Sequence, residues 1–241
     1  MARPLLSVAL AKCRKVGDEQ TMNEQTFRFC NTELQALPSG ALWWPSERLL
    51  VVSDLHLGKS ERLARRGGAL LPPYETIETL TRLSGDIDAT GPKTVVCLGD
   101  SFDDAEAADA LWDNEIETLT RLQAGRRWVW VEGNHDPGPI ALGGTHLAEL
   151  TVDALTFRHI ARASAGPGEV SGHYHPKARV RGMARPCFMQ DAKRLILPAY
   201  GWYTGGLDWT TPSLRRLFED KAFAFLTGRR VIQVPVPGFS S

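Results

Sequence analysis

Seven side chains in five short motifs carry the chemistry of metal ligands. They are Asp54 and His56 in Asp54-Leu55-His56, Asp100 in Gly99-Asp100-Ser101-Phe102-Asp103, Asn134 in Gly133-Asn134-His135-Asp136, the isolated His159, and His173 and His175 in Gly172-His173-Tyr174-His175. Five of the chain's six histidines fall in this series, which sets them apart from scattered surface histidines. The donors are oxygen and imidazole nitrogen without thiolate, a set that suits manganese, iron or zinc. Two such ions about 3.5–4 Å apart would clamp the attacking and leaving oxygens of an in-line phosphoryl displacement. Taken singly, Asp54 and Asp100 read equally well as residues that end strands and cap turns; their company favours ligation. Asp103 has a second reading as the N-cap of the following helix. Asp136, before Pro137, reads as a turn former, and His146, outside any motif, as a surface histidine.

The elements that must position these groups are visible as short apolar runs that end in motif residues. Leu49 to Ser53 leads into Asp54, Thr94 to Leu98 into Gly99-Asp100, and Trp128 to Glu132 into Gly133-Asn134. Leu155 to Phe157 precedes His159, and Glu169 to Ser171 precedes His173; later strands are expected at Leu195 to Pro198 and Val231 to Val234. Near-continuous apolar runs suit strands covered on both faces. Pro72-Pro73 opens a helix with Ile77, Leu80 and Leu83 on one face. A second helix is expected from about Asp104 to Gln123, with Ala108, Leu111, Trp112, Ile116, Leu119 and Leu122 as its apolar stripe and Gly125 at its C-terminal cap. Strand–helix alternation followed by a strand-rich half predicts an α/β fold: a two-sheet β-sandwich flanked by helices. Catalytic groups at the C-terminal ends of strands fit the rule for open α/β sheets. Tight turns at Gly99, Gly133 and Gly172 let backbone pass close to a metal without a Cβ in the way.

Composition bounds the answer. With 241 residues and 43% hydrophobic content, the chain suits one large domain, expected over residues 25–241, with residues 1–24 read as a disordered N-terminal extension and Met22 as an alternative start. Lys plus Arg equal Asp plus Glu at 28 each, so the global field does not announce a nucleic-acid binder. Locally the balance breaks: residues 101–117 carry seven acids and no base, and residues 177–194 carry six bases and one acid. Lys59, Arg62, Arg65 and Arg66 follow the first motif. Such runs are commonly solvated faces. Cys13, Cys30, Cys97 and Cys187 lack Cys-x-x-Cys spacing and read as free thiols of a reducing, cytoplasmic compartment. No apolar run reaches the roughly 18 residues of a membrane span. Residues 201–214 form a loop rich in aromatics and glycine; Trp202, Tyr203 and Trp209 could stack the bases of a single strand or pack in a core or dimer contact.

The motif series resembles the calcineurin-like metallophosphoesterase superfamily. The resemblance implies that Asp54, His56 and His175 bind one metal, that Asn134, His159 and His173 bind the other, and that Asp100 bridges them. It implies that His135 is not a ligand but assists the leaving oxygen, with Asp103 orienting it. One departure matters. Phosphoprotein phosphatases of this superfamily continue the second motif with Asp-Arg-Gly, whereas this chain has Asp103-Asp104-Ala105. An acid replaces the phosphate-gripping arginine, which argues against a protein phosphatase. Lys59, Arg62, Lys177 and Arg179 are then the nearest candidates for holding substrate.

Further motifs narrow the resemblance: Asp54-Leu55-His56-Leu57-Gly58-Lys59, Gly68-Ala69-Leu70-Leu71-Pro72, Ser171-Gly172-His173-Tyr174-His175-Pro176, and Leu197-Pro198-Ala199-Tyr200-Gly201 with Thr204-Gly205-Gly206. These are similar to the bacterial ligase-associated DNA damage response endonucleases, the PdeM branch. That resemblance implies a manganese-dependent phosphodiesterase and DNA endonuclease, with DNA as partner through mostly backbone contacts, a functional link to DNA ligase and other repair enzymes, and room for a homodimer. The competing reading is a small-molecule phosphoesterase acting on a nucleotide or cyclic diester, which the balanced net charge favours. A metal-binding scaffold without turnover would be expected to lack His135 or Asp100, and both are present.

Overall fold

In the computed structural model, residues 24–68, 72–138, 141–180, 182–219 and 221–238 are described. The expected extension over residues 1–24 therefore lies outside them, apart from Glu24, as do Ala69 to Leu71 of the branch motif. The first sheet runs in chain order through β1 (Gln25–Phe29), β2 (Thr32–Ala36), β3 (Leu42–Trp44), β4 (Leu49–Val52), β5 (Thr94–Leu98), β6 (Arg127–Val131) and β7 (Thr145–Leu147). β1 to β4 are antiparallel neighbours, while β4, β5, β6 and β7 pair in parallel. The second sheet draws on β8 (Leu150–Val152), β9 (Leu155–Phe157), β10 (Glu169–Ser171), β11 (Lys177–Val180), β12 (Met183–Gln190), β13 (Arg194–Ile196), β14 (Phe223–Leu226) and β15 (Ile232–Pro235). Its order is β15-β14-β12-β13-β10-β9-β8, with β11 paired to β12, and β10 lies parallel to both β9 and β13.

Alternation along the strands builds two cores from one sheet. Leu49 and Val51, Val96 and Leu98, and Val129 and Val131 point into the space between the sheets, where they meet Phe157, Val170, Phe188, Leu195 and Phe225. Leu50 and Val52, Val95 and Cys97, and Trp128 and Trp130 point the other way, onto the helices. Both faces are covered, which explains apolar runs without polar interruption. A third core backs the second sheet, where Trp209, Leu214 and Phe218 pack on Met189, Ile196 and Ala224. The architecture is the expected α/β two-sheet sandwich with flanking helices.

The helices depart from expectation in two places. α1 (Lys59–Arg65) follows the first motif directly, and α2 (Glu75–Thr90) buries Thr76, Thr79, Leu80, Leu83 and Ile87, leaving Ile77 at the margin. The long helix expected over 104–123 is two helices, α3 (Ala105–Asp109) and α4 (Asp113–Gln123). Capping chemistry makes the break. Asp104 accepts the Ala107 N–H (2.9 Å) to start α3, and Glu115 accepts the Trp112 N–H (2.9 Å) to start α4, satisfying donors at each new N-terminus. Trp112, extended at the break, is 58% exposed rather than part of the apolar stripe. A short α5 (Pro212–Arg215) completes the helices.

Candidate metal centre

The parallel strands deliver their C-terminal residues to one edge of the sandwich. Asp54 follows β4, Asp100 follows β5, Asn134 follows β6, His159 follows β9, and His173 and His175 follow β10. Both sheets therefore contribute. The main chain bends sharply there: of ten non-glycine residues with positive φ among the described residues, five are Asp54, His56, Asp100, His173 and His175, with φ between 45° and 69°. Left-handed backbone is uncommon outside glycine, although aspartate and histidine adopt it more readily than most residues, and it clusters at functional sites. Gly99 shows why the turn needs glycine: its φ is 77°, and a Cβ there would lie 2.4 Å from the His159 ring. At Gly133 a Cβ would lie 2.1 Å from the Asp100 nitrogen, so the two motif loops touch through a position that admits no side chain.

Two clusters form. Asp54, His56 and His175 make one, and Asp100, His159 and His173 the other, with the ligand atoms of each within 4.8 Å of one another. In the first, His175 Nε2 lies 3.1 Å from Asp54 Oδ1, and His56 Nε2 is buried without a hydrogen-bond partner. In the second, His159 Nδ1 donates to the Leu98 carbonyl at 3.0 Å, which fixes its tautomer. Its Nε2 then faces Asp100 Oδ2 at 3.2 Å, Asn134 Oδ1 at 3.1 Å and His173 Nδ1 at 3.2 Å. These polar atoms converge on one point, where a divalent cation could replace the proton that otherwise bridges His159 Nε2 and Asp100. The donor set and its convergence fit divalent metal ions bound by oxygen and imidazole. Asp100 stands at the seam, because its carbonyl also accepts the His56 N–H at 3.0 Å.

Charge follows the same logic. Burial alone would raise the carboxyls of Asp54 and Asp100, but facing imidazoles hold both below the usual carboxylate range. Burial opposes a charge on His159, yet Asp100 and Asp54 raise it above the ordinary histidine value; His173 is lowered by burial and by His159. The site is thus a pocket of ionised carboxylates, complementary to cations.

His135 lies outside both clusters and is 39% exposed at its side chain. Its N–H donates to Asp100 Oδ1 at 2.9 Å, its Nδ1 to the Asp103 carbonyl at 2.9 Å, and its Nε2 remains 3.9 Å from Asp100 Oδ2. The carboxylate of Asp103 was expected to orient His135. It instead lies 2.9 Å from His56 Nδ1 and pairs with Arg62, with Lys59 at 3.9 Å. The reason is local: Asp104, not Asp103, caps α3, so the Asp103 side chain turns inward and only its carbonyl reaches His135.

Asp136, read from sequence as a turn former, does more. Buried, it accepts the N–H groups of Ser101 (2.7 Å), Phe102 (3.2 Å) and Gly133 (3.1 Å), tying the two loops together. Burial pushes its carboxyl up to about 6. Among candidate substrate cations, Lys59 and Arg62 lie beside Asp103. Lys177 lies two residues past His175 and donates to the Thr204 carbonyl at 3.0 Å, while Arg179 is exposed farther along β11 and feels Asp208. Arg65 and Arg66 instead pair with Asp104, Glu61 and Glu106, so this basic run neutralises the acidic one. His146 lies on β7, half-buried, with its ring against Trp130. Cys30, Cys97 and Cys187 are free thiols. No helix among the described residues is long and apolar enough to cross a membrane.

The sequence model of the calcineurin-like phosphoesterases matches residues 47–219. Among solved structures, a nuclease from Pseudomonas putida, MPE, is similar with a TM-score of 0.69 and 27% identity, covering 88% of this chain and 100% of that one. Yfce, a phosphoesterase from E. coli, aligns at 13% identity over 78% of this chain and 98% of its own, with a TM-score of 0.39, too loose a likeness to build on. No curated protein matches the sequence.

Proposed function

The chain belongs to the calcineurin-like phosphoesterase family, and from that premise we propose that it is a manganese-dependent phosphodiesterase that cuts DNA. Metal-dependent hydrolysis of phosphoesters is the chemistry of the family and of this chain. In the proposed assignment, Asp54, His56 and His175 hold one divalent ion; Asn134, His159 and His173 hold the second; Asp100 is shared. The ions, when bound, supply positive charge to the phosphoryl oxygens and bring the pKa of water towards 7. His135, held at Nδ1 by the Asp103 carbonyl, presents Nε2 to the leaving oxygen and delivers a proton there from its imidazolium form. The Asp103 carboxylate fixes the His56 ring, a supporting contact of the kind that orients metal-ligating histidines.

The observation that carries the reading is the meeting of both clusters beside the exposed His135. The likeness to a nuclease across that protein's whole length supports DNA as substrate, and the branch motifs support a place in repair alongside DNA ligase. The test is incubation with manganese and, separately, supercoiled plasmid, an aryl phosphodiester and an aryl monoester. The reading expects plasmid nicking and diester hydrolysis, with the monoester slower. Intact plasmid beside rapid turnover of a nucleotide or cyclic diester would replace it with the small-molecule reading.

A further inference from the structure

Beside the first ligand cluster lies a cavity of about 330 Å³ whose lining includes Arg82, Lys177, Gly201, Trp202, Tyr203 and Thr204. It is joined to the metal centre by the main chain. The Tyr200 N–H donates to the Ser53 carbonyl at 2.7 Å and the Gly201 N–H to the Asp54 carbonyl at 3.0 Å. On the other side, the Lys177 ammonium donates to the Thr204 carbonyl. The loop is thus pinned both to the Asp54 motif and to the segment that follows His175.

The aromatics of this loop have separated. Trp209 is buried in the third core, as the packing alternative expects. Trp202 and Tyr203 are 42% and 44% exposed. They are also held in place. The Trp202 N–H donates to Thr79 Oγ1 at 3.1 Å, and the Arg82 guanidinium lies 5.6 Å from the Trp202 ring centre and 4.4 Å from that of Tyr200. A cation over one face of an indole fixes the ring and leaves the other face for a second partner. Tyr203 meets Trp202 edge-on, with centroids 6.3 Å apart, from a backbone φ of 57° that a bulky residue rarely adopts. Two rings inclined at 74°, one backed by an arginine, line one cavity with Lys177 on a loop pinned to the Asp54 main chain, and form a corner suited to a flat aromatic group carried on an anionic chain.

We propose that Trp202 and Tyr203 form a stacking platform for a nucleobase of the single strand flanking the scissile phosphate, with Lys177 beside the adjoining backbone. This rests on the nuclease reading above. Stacking accepts every base because each has a π-face, so the platform would grip a strand without reading its sequence.

The experiment compares binding of two phosphorothioate-linked strands of equal length, an oligothymidylate and its abasic counterpart, to the manganese-loaded protein by fluorescence anisotropy. Wild type, Trp202→Ala and Trp202→Phe are measured, with thermal unfolding and metal content reporting that each variant is folded. The expected result is tighter wild-type binding of the base-bearing strand, by about 5- to 150-fold for one stacked base. Trp202→Ala removes that preference and Trp202→Phe keeps most of it. An unchanged preference in Trp202→Ala overturns the platform, as does equal wild-type binding of both strands by a protein that nicks plasmid. Light scattering that shows a dimer in wild type and a monomer in Trp202→Ala also overturns it, making the rings a dimer contact. A wild-type protein that binds neither strand and leaves plasmid intact brings down the nuclease reading itself, and the platform with it.

Discussion

Asp103 touches both working histidines with different groups: its carboxylate meets His56 and its carbonyl meets His135. That division makes His135 separable from the metals. His135→Ala should load metal as wild type does yet lose about 10²–10⁴-fold on DNA, the usual worth of general acid catalysis. The loss should shrink on a nitrophenyl diester, whose leaving group needs no proton; equal losses on both substrates would contradict the role. Asp136 is a different kind of residue, since its carboxylate serves three main-chain donors and no ligand directly. Asp136→Ala should cost at least roughly 1–3 kcal/mol, the penalty for one buried donor left unsatisfied, and a wild-type midpoint in urea would refute this. The residues of the clusters were legible in the sequence because motif, order and residue type coincide. The partners of the Asp103 and Asp136 oxygens were not: the first depend on which of two adjacent aspartates caps α3, the second on how closely the loops after β5 and β6 approach.

At the scale of elements, the turns after the strands do the positioning. Gly99→Ala would place a Cβ against the His159 ring and strain a φ of 77°. The variant should keep its sheets by circular dichroism but bind less metal at the Asp100–His159–His173 cluster; wild-type metal content would show that the turn gives way. The same scale shows where sequence reading ran out. Strands after which ligands follow were visible as apolar runs. The β1–β2 hairpin was not, although its turn residues Cys30 and Asn31 have φ of 46° and 64°. Such two-residue turns usually announce themselves with Asn-Gly, Asp-Gly or Gly-Gly; here Asn31 stands without a glycine beside Cys30, which leaves only half the signal. The split between α3 and α4 was hidden because the apolar spacing runs through it, while the interruption is written in the caps of Asp104 and Glu115.

Across the whole molecule, the proposed ligands come from both sheets: Asp54, His56, Asp100 and Asn134 from the first, His159, His173 and His175 from the second. Metal binding is therefore linked to the docking of the two layers. Saturating metal should stabilise the fold, by about 2.7 kcal/mol for each ion at a hundred times its dissociation constant. Chelation should lower the melting temperature, and a melt indifferent to chelator would break that link. Balanced net charge hid the local arrangement, in which the basic run of α1 is largely neutralised by the acids of the second motif and α3. Metal analysis of the active protein titrated with manganese, alongside Asp100→Ala, decides whether seven side chains hold two ions. Two ions per chain are expected at saturation, with activity rising with occupancy and loss at both sites in the variant. One ion or none in fully active wild-type protein would contradict a two-ion centre.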